Sequence, residues 1–209
     1  MQKSFAKILI VGGVLIALFA LYRGVYYAPN DVVSDADSGL EVSNTTTNVG
    51  AVVASASTSS YPSRLLIPKL DIDTNVQALG VTKKGNMAAP SNFTDVSWYK
   101  YGPLPGRIGS AVMSGHEDNA LSLDGIFKHL EDLTIGDDVY VLDKNGTKLH
   151  FKVTEKKIYP YNLSGPELER VFNAKDKARL NLITCTGEWV QAIKTNDQRL
   201  VVYTELVND

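Results

Sequence analysis

Read for apolar and polar alternation, the chain falls into three zones. Residues 8–22 form an unbroken apolar, small or aromatic tract, and residues 28–60 carry no sustained period of either helix or strand. From Tyr61 onward, short β-branched runs recur between turn residues, the pattern of an antiparallel barrel or sandwich. Strands are expected over 64–67, 74–79, 109–114, 137–142, 147–159, 179–184 and 199–206. Between Val139 and Val153, Lys144-Asn145-Gly146 supplies the Asn-Gly pair of a two-residue hairpin turn. Two short helices are expected among the strands. One covers 121–133, where Leu123, Ile126, Phe127 and Leu130 make an apolar stripe. The other follows Ser164-Gly165-Pro166-Glu167, which has the Ser-x-x-Glu spacing of a capping box. No internal repeat stands out.

The first zone, residues 1–27, reads as an N-terminal transmembrane helix. Its apolar tract is shorter than the roughly twenty residues of a full span, a length that Phe5, Ala6 and Val25 to Tyr27 supply if Lys7 and Arg23 snorkel toward the head groups. The rival reading is a cleaved signal peptide, but Leu18-Phe19-Ala20-Leu21-Tyr22-Arg23 contains no small-x-small cleavage site, which favours a retained anchor. Lys3 and Lys7 then place the N-terminus in the cytoplasm and the rest of the chain outside. Residues 28–60 are a Ser/Thr/Asp-rich flexible linker, acidic at first through Asp31, Asp35, Asp37 and Glu41. Residues 61–209 are the folded domain. With 209 residues and a net charge of −2, the chain has room for one such domain and shows no basic face for nucleic acid. One cysteine excludes an internal disulfide framework.

That cysteine ends the apolar run Arg179-Leu180-Asn181-Leu182-Ile183-Thr184-Cys185. It is either a small buried hydrophobe or a reactive thiol. His116 follows a second apolar run at Ser114-Gly115, and Arg199 opens a third, so three polar groups stand at three strand ends. A thiol of ordinary pKa is only a few per cent thiolate at neutral pH, and a nucleophilic Cys185 needs His116 as thiolate partner or proton donor. Arg199 stays protonated and offers donors only, which suits it to steady a thiolate or an oxyanion.

Leu182-Ile183-Thr184-Cys185 resembles the Thr-Leu-x-Thr-Cys signature of the sortases, cysteine transpeptidases of the bacterial surface, with Asn181 where the first Thr usually sits. Ser114-Gly115-His116 is similar to that family's His-bearing strand end, and Arg199 falls where its catalytic Arg is expected. Arg64-Leu65-Leu66-Ile67-Pro68-Lys69-Leu70, Ser97-Trp98-Tyr99, Gly102-Pro103 and Pro105-Gly106 resemble class F sortases in particular. The resemblance covers about residues 61 to 207. It implies a mainly β fold, a closed barrel of about eight strands with short helical insertions, and a catalytic set of Cys185, His116 and Arg199. Thr184 belongs to the signature, as a substrate contact or a support of the site. Trp189 lies in the segment after Cys185, expected to overhang the thiol and shape a substrate groove. No metal and no cofactor is implied as required. The implied partners are secreted proteins with a C-terminal LPxTG-type sorting signal, cleaved at Thr-Gly, and an amine acceptor such as a peptidoglycan precursor or a pilin lysine. Residues 28–60 show no lid motif like that of some pilus-building relatives, which favours anchoring to the cell wall.

Several neighbours of these residues stay open. Glu117-Asp118-Asn119 beside His116 are metal ligands, a tuner of the imidazole toward its charged form, or solvated loop polarity. Glu188, Lys194 and Asp197, in a loop expected over 186–198, are unranked substrate contacts. His129 and His150 read as structural, and Trp98 and Tyr99 as loop anchors that pack. The alternatives to a transpeptidase are a surface cysteine peptidase that hydrolyses, a peptidoglycan transpeptidase of another fold, and a non-catalytic tethered β domain that binds a surface polymer.

Overall fold

The computed structural model describes residues 60–118 and 123–207. The expected anchor (1–27) and all but the last residue of the expected linker (28–60) lie outside these. Among the described residues no helix is long and apolar enough to cross a membrane.

Eight strands close into a barrel: β1 Pro62–Ile67, β2 Ile72–Leu79, β3 Val96–Tyr99, β4 Gly109–Ser114, β5 Asp138–Asp143, β6 Lys148–Pro160, β7 Ala178–Val190 and β8 Thr195–Leu206. Around the wall the order is β1-β2-β3-β4-β7-β8-β6-β5, so the mainly β, closed-barrel expectation holds. Period-2 alternation fills the interior. Leu65 and Ile67 of β1, Ala111 and Met113 of β4, Leu180 and Leu182 of β7, and Leu200 and Val202 of β8 share one buried cluster with Trp98 and Phe151. The alternate residues of β7 and β8, Ile183, Val201 and Tyr203, face outward and pack with Tyr159 and Val171. That outer cluster lies under the one described α-helix, α1, Gly165–Phe172, in the connection from β6 to β7.

Four expectations change. Strand β3 was not foreseen: it is four residues long, and its buried Ser97 breaks the apolar signal. Trp98 is nevertheless the expected packing anchor, almost fully buried with its indole N–H 3.3 Å from the Pro103 carbonyl. The helix expected over 121–133 is instead a chain of turns ending in the 3-10 turn Leu130–Asp132, with 121 and 122 outside the described residues. The N–H groups of Gly125, Ile126 and Phe127 bond the carbonyls of Glu117, Phe93 and His116. Tertiary acceptors thus replace the i→i−4 ladder there. The β5–β6 turn is also one residue longer than the Asn-Gly pair suggested. The Asp143 amide closes on Thr147 O at 3.0 Å, Gly146 alone takes positive φ, and the Asp143 carboxylate accepts from the Asn145 and Thr147 amides. Finally, the loop expected over 186–198 is mostly strand, because β7 and β8 stay paired as far as Val190 and Thr195.

Helix α1 begins where the capping-box sequence placed it, with Ser164 as N-cap, although the Ser164 hydroxyl makes no capping bond. Its far end is held by the barrel. Buried Asn181 of β7 donates Nδ2–H to the Val171 carbonyl at 2.6 Å, satisfying one of the acceptors that a helix C-terminus leaves unpaired. Asn181→Ala is expected to cost about 1–3 kcal/mol in urea unfolding, whereas Ile135→Ala, at a position 76% exposed, stays near wild type.

Candidate active site

β7 and β8 are antiparallel with Cys185 directly opposite Arg199, so the two side chains project from the same face. Thr184 is buried, and alternation turns Cys185 outward, onto the face of Ile183 and Val201. β4 runs parallel to β7 with Ser114 level with Ile183. The pairing continues past the strand end: Gly115 N–H donates to Ile183 O at 3.2 Å, and the Thr184 hydroxyl donates to Gly115 O at 3.0 Å. The next residue, His116, therefore reaches the barrel end beside Cys185. The structure brings Cys185, His116 and Arg199 to one end of the wall.

His116 is fixed from three sides. Its Nε2 lies 3.0 Å from the Pro90 carbonyl, which can only accept, so Nε2 carries the proton and Nδ1 is left for chemistry. The Phe93 ring packs on the imidazole at 4.7 Å between centroids. The backbone is locked by Gly125, whose position leaves a Cβ only 2.4 Å from the His116 carbonyl oxygen, and by the Phe127 N–H bond to that oxygen at 2.9 Å. At Gly115 a Cβ would meet Ile126 and Phe127 at 2.7 Å.

Arg199 makes three hydrogen bonds along its own strand: Nη1 to Asn196 O (3.0 Å) and Gln198 O (2.6 Å), and Nη2 to Thr195 Oγ1 (2.9 Å). Burial pushes the Cys185 thiol above its ordinary pKa, and the Arg199 charge and the Thr195 hydroxyl pull it back. Glu117 and Asp118 push it further up. His116 is lowered, first by burial, against the opposing Pro90 bond and the Asp118 charge. Asp118 thus acts in the tuning sense, one of three open for it. Glu117 spans the site edge, ion-paired to Lys128 at 3.6 Å and accepting from Asn196 Nδ2 at 3.4 Å. Among the described residues no group of three or more His, Cys, Asp or Glu is gathered to hold a metal ion.

Thr184 has its hydroxyl engaged by the His-bearing segment and is 4% exposed, so its observed role is to join β7 to that segment. Trp189 is 60% exposed on the β7–β8 ribbon opposite Asn196 and bonds Gln191 Oε1 at 3.1 Å. Asp197 caps the Glu188 amide at 2.9 Å. His150 pairs with Asp138 at 2.7 Å and stacks on Tyr140, and His129 pairs with Asp132 at 3.4 Å. Pro90, Phe93, Gly125 and Thr195 were not singled out in the sequence. Each acts through tertiary placement, for which no local pattern exists.

A family model described as a sortase domain matches residues 65–207. A comparison with curated proteins finds no match. Among solved structures the chain is similar to sortase C1 of pilus island 1 of group B Streptococcus, with TM-score 0.54 and 21% identity over 70% of this chain and 65% of that one. It is likewise similar to sortase C-1 from Actinomyces oris (0.52, 23%, 70% and 74%) and to a sortase D5 transpeptidase from Clostridium perfringens (0.51, 14%, 71% and 79%). The chain spans just under two thirds of the streptococcal structure. At these identities the likeness is one of fold, and none of these structures is named as class F, so that subclass gains no support from them.

The electrostatics have a direct check. In the full chain, the midpoint for iodoacetamide alkylation of Cys185 is expected above the ordinary thiol value of about 8.5, and His116 is expected to protonate below about 6.5 by NMR. Arg199→Ala, which removes a cation, moves the thiol midpoint up. Asp118→Asn, which removes an anion, moves both midpoints down; no movement would contradict the arrangement described.

Proposed function

The chain belongs to the sortase family of cysteine transpeptidases, and from that membership we propose that it cleaves an LPxTG-type sorting motif at Thr-Gly and transfers the secreted protein to a cell-wall amine. The observation that carries the reading is the cross-strand pair of Cys185 and Arg199 with His116 at the end of the neighbouring strand.

Each group does what its environment allows. The Cys185 thiolate attacks the Thr carbonyl carbon, and the carbonyl electron pair moves to oxygen. Arg199 donors stabilise that oxyanion and align the peptide. As the tetrahedral intermediate collapses, the C–N bond breaks and the His116 imidazolium protonates the departing glycine amine from Nδ1, leaving a thioacyl enzyme. The now neutral imidazole takes a proton from the incoming amine, which attacks the thioester carbonyl and releases Cys185. Glu117, Asn196 and Lys128 border the same site, tying the His-bearing segment to the ribbon.

The reading places residues 1–27 in the bacterial membrane, with the N-terminus cytoplasmic and the barrel outside on the 28–60 tether. Class F is the subclass favoured by Arg64 to Leu70 and Ser97 to Tyr99. A peptidoglycan precursor is the acceptor favoured, with a pilin lysine or water as alternatives. A peptidase that only hydrolyses shares the first half-reaction and differs in the second. A non-catalytic tethered domain would use neither His116 nor Arg199.

With the thiol raised and the imidazole lowered, the reactive thiolate–imidazolium form is a small fraction at neutral pH. The rate follows that fraction: it falls below the His116 pKa because the thiol stays protonated, and above the Cys185 pKa because the imidazole stays neutral. The expected kcat/KM profile is therefore a low, broad bell whose acid limb lies below about 6.5 and whose alkaline limb lies above about 8.5. Full-length protein incubated with a quenched fluorescent LPxTG-type peptide and triglycine is expected to give a product joined to the amine by mass, and none with Cys185→Ala. Absence of cleavage across a panel of sorting motifs would remove the enzyme reading. Gly125→Ala, which forces the His116 backbone aside, is expected to lower turnover about a hundredfold while thermal melting still reports a folded barrel.

A further inference from the structure

The chain enters the barrel beside the β5–β6 turn, where the Ser60 amide donates to Asp143 Oδ2 at 3.3 Å and the Lys144 amide donates to Tyr61 O at 3.1 Å. An open cleft of about 390 Å³ lies at this entry point, lined by Tyr61, Ala78, Lys100, Tyr101 and Lys144. Its walls are held in place. The Tyr61 ring packs edge-on against buried Trp98 at 5.6 Å between centroids, and the Tyr101 ring packs edge-on against Tyr99 at 5.8 Å. Tyr101 also lies over Gly80, where a Cβ would meet its ring at 2.8 Å. Each ring carries a lysine: Lys144 Nζ is 5.7 Å from the Tyr61 centroid, and Lys100 Nζ is 5.2 Å from that of Tyr101. The lining thus holds two cations on two exposed rings and no carboxylate. Asp143, next to Lys144 in the chain, is buried with its oxygens taken by the Ser60, Asn145 and Thr147 amides. β3 and β4 are antiparallel, so Lys100, which leaves β3, and His116, which follows β4, stand at opposite ends of the wall.

Such a cleft fits an acidic, partly apolar peptide, and the chain itself supplies one. Residues 28–60 contain Asp31, Asp35, Asp37 and Glu41 and no Lys or Arg, with Val32, Val33, Leu40 and Val42 interspersed. The chain joins the cleft wall at Tyr61, twenty residues after Glu41. A Ser/Thr-rich coil of that length has an r.m.s. span of about 25 Å. A segment tethered at the cleft by such a coil is presented to it at an effective concentration on the order of millimolar, an advantage that no unlinked anion shares. We propose that the cleft docks residues 31–41 of the chain's own tether, with the carboxylates on Lys100 and Lys144 and the apolar side chains on the two tyrosine rings. Docking closes residues 42–60 into a loop. The direct connection from the anchor then shortens from residues 28–60, at most about 115 Å, to residues 28–30, at most about 10 Å, with the catalytic end turned away from the membrane. Ion pairs in an exposed cleft are weak and screened by salt, so docking is a reversible limit on reach. The consequence for reach rests on the membrane-anchored reading, while the docking does not.

The test uses full-length protein in an uncharged detergent. A zero-length carbodiimide activates a carboxylate, a lysine amine in contact with it displaces the activated ester to leave an amide, and the joined peptides are identified by mass. Amides from Lys100 or Lys144 to Asp31, Asp35, Asp37 or Glu41 are expected in clear excess over any from Lys157, an exposed lysine that also lies over a tyrosine ring but near the Tyr159–Arg199 rung. The excess vanishes in about 1 M NaCl, where the screening length is about 3 Å. Glu41 is the one glutamate of residues 28–60, so cleavage there by a glutamate-specific protease reads docking without relying on lysine chemistry. Lys100→Gln with Lys144→Gln is expected to speed that cleavage about threefold, as when a segment docked in about two thirds of molecules is released, and Lys157→Gln leaves it unchanged. Should the double variant fail to fold, Asp31→Asn, Asp35→Asn and Asp37→Asn together carry the same expectation from outside the barrel. No amide from Lys100 or Lys144, or cleavage at Glu41 indifferent to these substitutions, overturns the proposal. Cross-links that join isotopically heavy to light chains in a mixed sample give the cleft to a second copy. Cross-links that form in phosphatidylcholine bilayers but vanish in equimolar phosphatidylcholine and phosphatidylglycerol give it to anionic lipid. Either result overturns the docking. Protein that forms the intramolecular amides yet does not partition into bilayers sinks only the membrane reading, and embedded protein without them sinks only the docking.

Discussion

The parallel pairing of β4 with β7 is the constraint on which the rest of the site depends. Neither strand carries the whole chemistry: β4 ends just before His116, and β7 bears Cys185. Parallel neighbours run in the same direction, so residues that follow one strand emerge beside the end of the other. Gly115 converts that proximity into a fixed register through its N–H to Ile183 O and its carbonyl from the Thr184 hydroxyl. It also has no side chain to collide with Ile126 and Phe127. The antiparallel β7–β8 pair then brings Arg199 opposite the thiol, and alternation puts both on the outer face. A slip of one residue in β7 would turn Cys185 into the packed interior.

The electrostatics of the site oppose its chemistry at rest. Burial favours the neutral forms of both Cys185 and His116, and the Glu117 and Asp118 carboxylates add to the cost of a thiolate. Arg199, the Thr195 hydroxyl and, for His116, the Pro90 carbonyl and Asp118 act the other way. The outcome is a neutral pair in the free protein, with the ionised pair reached by a minority of molecules. The guanidinium is not left to diffuse over this surface. Its three bonds to Thr195, Asn196 and Gln198 fix it to a ribbon that β6 and β7 both brace.

The elements that escaped the sequence did so for a common reason. β3 is short and includes a buried serine whose hydroxyl bonds Ala88 O and Ser114 Oγ, so its polarity belongs to a partner far along the chain. The segment 123–133 has a helical stripe because Phe127, Leu130 and Leu133 do face one core, yet its first amides are taken by Glu117, His116 and Phe93. The ribbon beyond Cys185 lacks alternation because it has no interior to face, and its pairing is set by backbone bonds that leave no trace in residue type.

The sequence by itself determined a mainly β class, barrel or sandwich, through period-2 runs separated by turn residues, and it singled out three candidate groups, because a lone cysteine, a Ser-Gly-His run end and an arginine heading an apolar run are each local. Helix α1 was legible for the same reason: Ser164 at the N-cap position and the proline two residues later mark a helix start locally, although the Ser164 hydroxyl makes no capping bond. Only the tertiary structure decided what surrounds those groups. Pro90 and Phe93 on the β2–β3 connection, Gly125 on the turn below His116, and Thr195 on a ribbon bent at Gly187 are brought together by chain closure across the barrel end. Contacts between residues so distant in sequence depend on register and backbone direction, which alternation constrains along a strand but does not specify between strands.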